Sequence, residues 1–171
     1  MKFIKGFAVT IALYLGLVVL FQVIAAVMAE IEIAALFTDT SAISALLYGN
    51  LAVPTVSVTY LYIMALIGDP THTVAIVSLL GLLLPTALAV IVGSIAERKT
   101  GTVKHVFLST FAGLLACAGV GIALQIINWP TGGVLGYVYW EWFLPSALIL
   151  AAFNAFFWGS IGLLATAKGW A

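Results

Sequence analysis

Charge is what this sequence has least of. Its 171 residues carry six basic and six acidic side chains, 7% of the chain, balanced to a formal net charge of zero. A soluble domain carries about a quarter charged residues. So few charges cannot clothe a surface of this size against water. Hydrophobic residues make up 64% of the chain, and the mean hydropathy is +1.25. Lipid therefore replaces water around most of the surface. The lipid bilayer is the first partner, and the cell membrane is the expected location.

Other absences narrow the chemistry. Cys117 is the one cysteine, so no intrachain disulfide can form. No basic patch exists to neutralise phosphates, which excludes a nucleic-acid partner. No Ser-His-acid or Cys-His set converges, and no glycine loop leads into a basic residue in phosphate-binding fashion. The two histidines, His72 and His105, fall on opposite faces of the threading derived below and cannot share a metal. The sequence therefore predicts neither an enzyme nor a metal or cofactor site.

What is present is a series of long apolar runs. The first, Phe3 to Ala29, is long enough to cross a hydrocarbon core of about 30 Å at about 1.5 Å per residue. It exceeds the apolar core of a signal peptide, roughly 7–15 residues, and is expected to be a retained helix. The fourth run, Thr71 to Ala96, holds Pro85 near its middle, where a missing backbone donor should kink it. The fifth is expected from His105 to Asn128 and the sixth from about Tyr137 to Ala167. Between the first and fourth lie two weaker runs, 33–50 and 51–68. Asp39 and Ser41 interrupt one, and Pro54 shortens the other to about 20 Å of helix. Gly68-Asp69-Pro70 then stops one helix and starts the next.

The expected fold is all-α: a polytopic integral membrane helical bundle forming a single transmembrane domain over residues 1–171. It has four firm transmembrane helices plus a short helical hairpin, residues 33–68. That hairpin is either re-entrant and interfacial or makes two further spans.

Lys and Arg orient such a chain, because cytoplasmic loops hold their excess. The cluster from Glu97 to Lys104 is the pivot. With four or six spans and the N-terminus inside, Lys2, Lys5, Arg98, Lys99, Lys104 and Lys168 all fall on the inner side. Five spans would split them. Both termini are thus expected to be cytoplasmic.

Polar groups within apolar runs are expensive and point to function or helix contact. The candidates are Gln22, Glu30, Gln125, Asn128, Glu141 and Asn154, which could together line an outward-facing polar cavity. Glu141 sits between Trp140 and Trp142, where rings and carboxylate could hold a cation. The plainer reading is that Gln22, Gln125 and Asn154 bond neighbouring helices, at about 1 kcal/mol each. Small residues at four-residue spacing form ridges that admit close helix approach. Ala8, Ala12 and Gly16 make one on the first run. Ser109, Gly113, Cys117 and Gly121 make another on the fifth, and Ala147, Ala151, Ala155 and Gly159 a third on the sixth. The last two ridges predict a tight antiparallel pair.

These features suggest a membrane-embedded subunit for transport or binding of a small solute, working as a homo-oligomer or with other membrane subunits. The alternative is a non-catalytic accessory or structural subunit of a larger membrane complex. The threading predicts that an amine-reactive, membrane-impermeant reagent added to intact cells leaves Lys99 unlabelled. Labelling from outside would reverse the topology.

Overall fold

The structure is a computed structural model that describes residues 3–28, 32–34, 37, 73–99, 102–128, 141, 142 and 144–167. The expected hairpin at 33–68 lies almost wholly outside the described residues. Four long helices carry the described fold: α1 (Ile4–Met28), α2 (Thr73–Arg98), α3 (Val103–Asn128) and α4 (Leu144–Ala167). No strand occurs among the described residues. Three of these helices, α1, α3 and α4, are long and apolar enough to cross a membrane.

Sequence chemistry sets the helix ends. Thr102 precedes α3, and its carbonyl accepts from the N–H groups of His105 and Val106. The His105 ring closes the reciprocal half of the cap, its Nδ1 accepting from the Thr102 N–H at 3.2 Å. This is the back-bonding half of a capping box, with histidine in place of the usual Glu or Gln. Helix α4 is described from Leu144, with Pro145 in its first turn; Glu141 and Trp142 just before it are also helical, and the start expected near Tyr137 lies outside the described residues. A first-turn proline sacrifices only a donor that the helix would leave unpaired anyway.

Helix α1 packs against α2 and α3, and α4 packs against the same two, while α2 and α3 also touch each other. Residues 6–10 of α1 meet residues 93–97 of α2 and 109–113 of α3, and Gly162 of α4 meets Val90 and Ser94 of α2. The starts of α1 and α3 therefore share one end of the bundle with the finishes of α2 and α4. Each helix runs antiparallel to the one before it.

Small residues line the closest helix contacts, larger apolar groups fill the middle of the core, and many more large apolar side chains face outward. Tyr14, Val18, Ala89, Val90, Leu114, Cys117, Ala118, Ile122, Ala151, Ala155 and Trp158 form the core, drawn from all four helices. Leu20, Leu88, Ile127, Ile149, Phe153 and Leu164 face outward. Water would punish that distribution, but lipid tails are as apolar as leucine and do not. Close packing, rather than expulsion of apolar surface from water, is then what holds the helices together.

The ridges of α3 and α4 are buried throughout: Gly113, Cys117, Gly121, Ala147, Ala151, Ala155 and Gly159. They do not all face each other. Gly159 lies against Phe107 and Phe111 of α3, whereas Gly113 lies against Thr10 and the Phe7 carbonyl of α1. The reason is size. Bulky Phe107 and Phe111 fill the contact with α4, so the glycine is left for α1, which brings a branched threonine.

Gly93 is the tightest of these positions. A Cβ there would fall on the Thr10 hydroxyl and 3.1 Å from the Gly6 carbonyl oxygen. Gly93→Ala should cost about 1–3 kcal/mol by overpacking, read as thermal unfolding in detergent. Thr10→Ala in the same chain should recover part of that loss, because the two sites couple. Gly16→Ala is the control. Nothing lies within 4 Å of its Cβ position, so its effect should stay within about 0.5 kcal/mol.

Candidate functional site

The polar centre of the described structure lies at the basic end of the bundle. Glu97, in the last turn of α2, is fully buried at 0% exposure. Its Oε2 accepts a hydrogen bond from the Gly6 N–H of α1 at 2.8 Å. Helix α1 starts at Ile4, and the Phe7 N–H already reaches back to the Phe3 carbonyl. The Gly6 N–H is thus one of the first-turn donors that a helix cannot satisfy by itself. Glu97 supplies the acceptor from another helix. It also sets a negative group against the positive end of the α1 dipole, which offsets its poor placement at the negative end of α2.

Glycine permits this approach. A Cβ on Gly6 would lie 2.6 Å from the Ser109 hydroxyl, 2.7 Å from the Glu97 Cβ and 2.9 Å from the Gly93 carbonyl oxygen. One turn further in, Thr10 is wedged between Gly93 and Gly113, and across the bundle the Ser94 hydroxyl presses on Gly162. Four glycines on three neighbouring interfaces therefore each receive an oxygen-bearing side chain from a neighbouring helix.

The buried hydroxyls divide into two groups. Ser109 donates to the Val106 carbonyl at 2.9 Å, and Thr110 and Thr166 bond carbonyls of their own preceding turns. These are ordinary back-bonds within a helix. Thr10, Ser94 and Thr86 are fully buried, and their hydroxyls have no hydrogen-bond partner among the described residues. The Thr10 and Ser94 hydroxyls occupy the space that a Cβ would take on Gly93 and Gly162 of neighbouring helices.

The residues singled out from the sequence are scattered. Asn154 is buried in α4, Gln125 is half-buried in α3, and Gln22 is exposed on α1. Glu141 and Trp142, just before α4, are both exposed. Glu30 and Trp140 lie outside the described residues, as does the side chain of Asn128. Cys117 is buried beside Leu114 and Tyr14 in the core. No group of three or more His, Cys, Asp or Glu side chains able to hold a metal occurs among the described residues.

Glu97 is the residue that sequence reasoning missed, being counted with the loop charges that follow it. Its signal was phase. Thr86, Ala89, Val90, Gly93, Ser94 and Glu97 recur at three- and four-residue spacing and are all buried, so the carboxylate continues the inward stripe of α2.

The chain matches no protein-family profile, and neither the curated proteins nor the solved structures contain a significant match to it.

The carboxylate predicts its own substitutions. Hydrogen bonds to a charged group contribute about 1.5–3 kcal/mol. Glu97→Ala should lose about that much stability, read by thermal unfolding. Glu97→Gln keeps an acceptor for the Gly6 N–H and should lose clearly less. Equal losses would assign the role to charge alone.

Proposed function

We propose that this chain is a non-catalytic subunit of a membrane assembly, with α2 as a fourth span and both termini on the cytoplasmic side. The observation that carries this reading is the outer face of α1. Ala8, Ala12 and Gly16 are exposed there, and Gln22 is exposed one to two turns further along. The space around the Cβ position of Gly16 is open. A small-residue ridge turned outward lets another helix approach, and a glutamine facing lipid costs energy unless a partner bonds it. The sealed interior at the basic end supports the same reading, since the helices there leave no space for even a methyl group at Gly6 or Gly93.

Transport or binding of a small solute is the second reading. The buried hydroxyls of Thr10, Thr86 and Ser94 together with Glu97 favour it, because polar groups inside a membrane bundle often mark a pathway.

Native mass spectrometry of the gently solubilised protein separates the two. The subunit reading predicts a complex, either of identical copies or with a second membrane protein. Combining Gly16→Leu with Gln22→Leu should weaken that complex about tenfold or more, with unchanged thermal unfolding of the single chain, since an interhelical hydrogen bond contributes about 1 kcal/mol and the ridge more. A wild-type monomer that accumulates solute in vesicles would instead favour transport.

A further inference from the structure

Between the start of α3 and the finish of α4 lies an open groove of about 400 Å³, lined by Val103, Lys104, Phe107, Leu108 and Leu163. We propose that this groove is a specific site for one acyl chain of an anionic phospholipid, with its phosphate held by Lys104. The proposal rests on the membrane reading alone and is independent of which assembly the chain joins.

The groove's floor is built in. Phe107 stacks on Phe111 at 5.4 Å between ring centroids and meets Phe156 edge-on at 5.6 Å. A Cβ on Gly159 would lie 3.0 Å from the Phe107 ring. The glycine therefore gives Phe107 the room it occupies, and the ring bounds the groove instead of filling it. Four of the five lining residues are apolar, and the fifth, Lys104, is exposed in the first turn of α3. Taking a methylene as similar in volume to liquid water, about 30 Å³, the groove holds about a dozen methylenes.

Charge selects the headgroup. Lys5, Lys99 and Lys104 are exposed and Arg98 is half-buried at this end of the bundle. The acid next to them in sequence, Glu97, is buried beneath α1. The two exposed acids among the described residues, Glu32 and Glu141, follow α1 and precede α4, and so belong to the other end. Among the described residues this end of the bundle therefore presents exposed cations and no exposed acidic side chain, with Lys104 at the groove itself. Basic rims between membrane helices attract phosphate headgroups, and the first turn of α3 adds its dipole in the same sense.

The test titrates phosphatidylglycerol or phosphatidylcholine, with matched acyl chains, into the full-length protein in detergent, and counts retained lipid by native mass spectrometry. One saturable site with at least about tenfold preference for phosphatidylglycerol is expected. Lys104→Gln should reduce that preference to about threefold or less, whereas Lys99→Gln, outside the groove lining, should leave most of it. Leu163→Trp, which fills the groove, should abolish retention while size-exclusion behaviour stays native. Equal binding of the two lipids, or an unchanged preference in Lys104→Gln, would overturn the proposal. So would competition by inorganic phosphate that is as strong in Leu163→Trp as in wild type. Disulfide dimers of Leu108→Cys in lipid would show that a second copy occupies the groove, and would overturn it too.

Discussion

The contact between the Gly6 N–H and the Glu97 carboxylate, 2.8 Å long and fully buried, is the constraint from which the bundle's geometry follows. A charge in a dry interior is costly unless it is bonded and balanced. Here the first turn of α1 supplies both a donor and the positive end of a dipole. That arrangement works only if the backbone of α1 comes within hydrogen-bonding reach of α2. Such reach demands glycine at position 6 and at position 93, where any side chain would meet Ser109, Thr10 or backbone. Thr10 then fixes the distance to α3 through Gly113, and Ser94 fixes the distance to α4 through Gly162. The register of all four helices is thus set at one end.

Away from that end the same logic is relaxed. The middle of the bundle is filled by Val90, Leu114, Ile122 and Trp158 around Tyr14 and Cys117. Large apolar side chains face outward along α4, among them Ile149, Phe153 and Leu164. Lipid gives no reward for hiding these groups, so large apolar side chains beyond those that fill the core can face the bilayer. The end that is tightest inside is also the most basic outside. Glu97 is drawn inward, while Lys99 and Lys104 beside it in sequence stay exposed.

Much of the architecture was legible in the residues. Scarce charge and long apolar runs are enough to require helices in lipid, because an unpaired backbone is not tolerated there. The boundaries of α1, α2 and α3 lie within a few residues of those expected from apolar runs and caps. The expected start of α4 near Tyr137 lies outside the described residues, while Pro145 sits in the first turn of the described helix. The partners of the ridges were not legible. Spacing shows that Gly113 lies on a ridge but not which helix it will meet, and Thr10 on α1 decided that. The buried carboxylate was missed for a related reason. Gln22, Gln125 and Asn154 stand out as polar letters in apolar runs, whereas Glu97 hides beside Arg98 and Lys99. Its inward phase with Gly93 becomes meaningful only when α1 brings Gly6 against it.

Amide hydrogen exchange at Gly6 in the detergent-solubilised chain tests the central contact most directly. First-turn amides of a helix ordinarily exchange fast, being without an intrahelical acceptor. A buried Glu97 acceptor predicts that the Gly6 amide is protected like residues two turns further in, and that Glu97→Ala removes the protection while leaving Tyr14 protected. A Gly6 amide exchanging as fast as those of Ile4 and Lys5 in the wild-type chain would contradict the account.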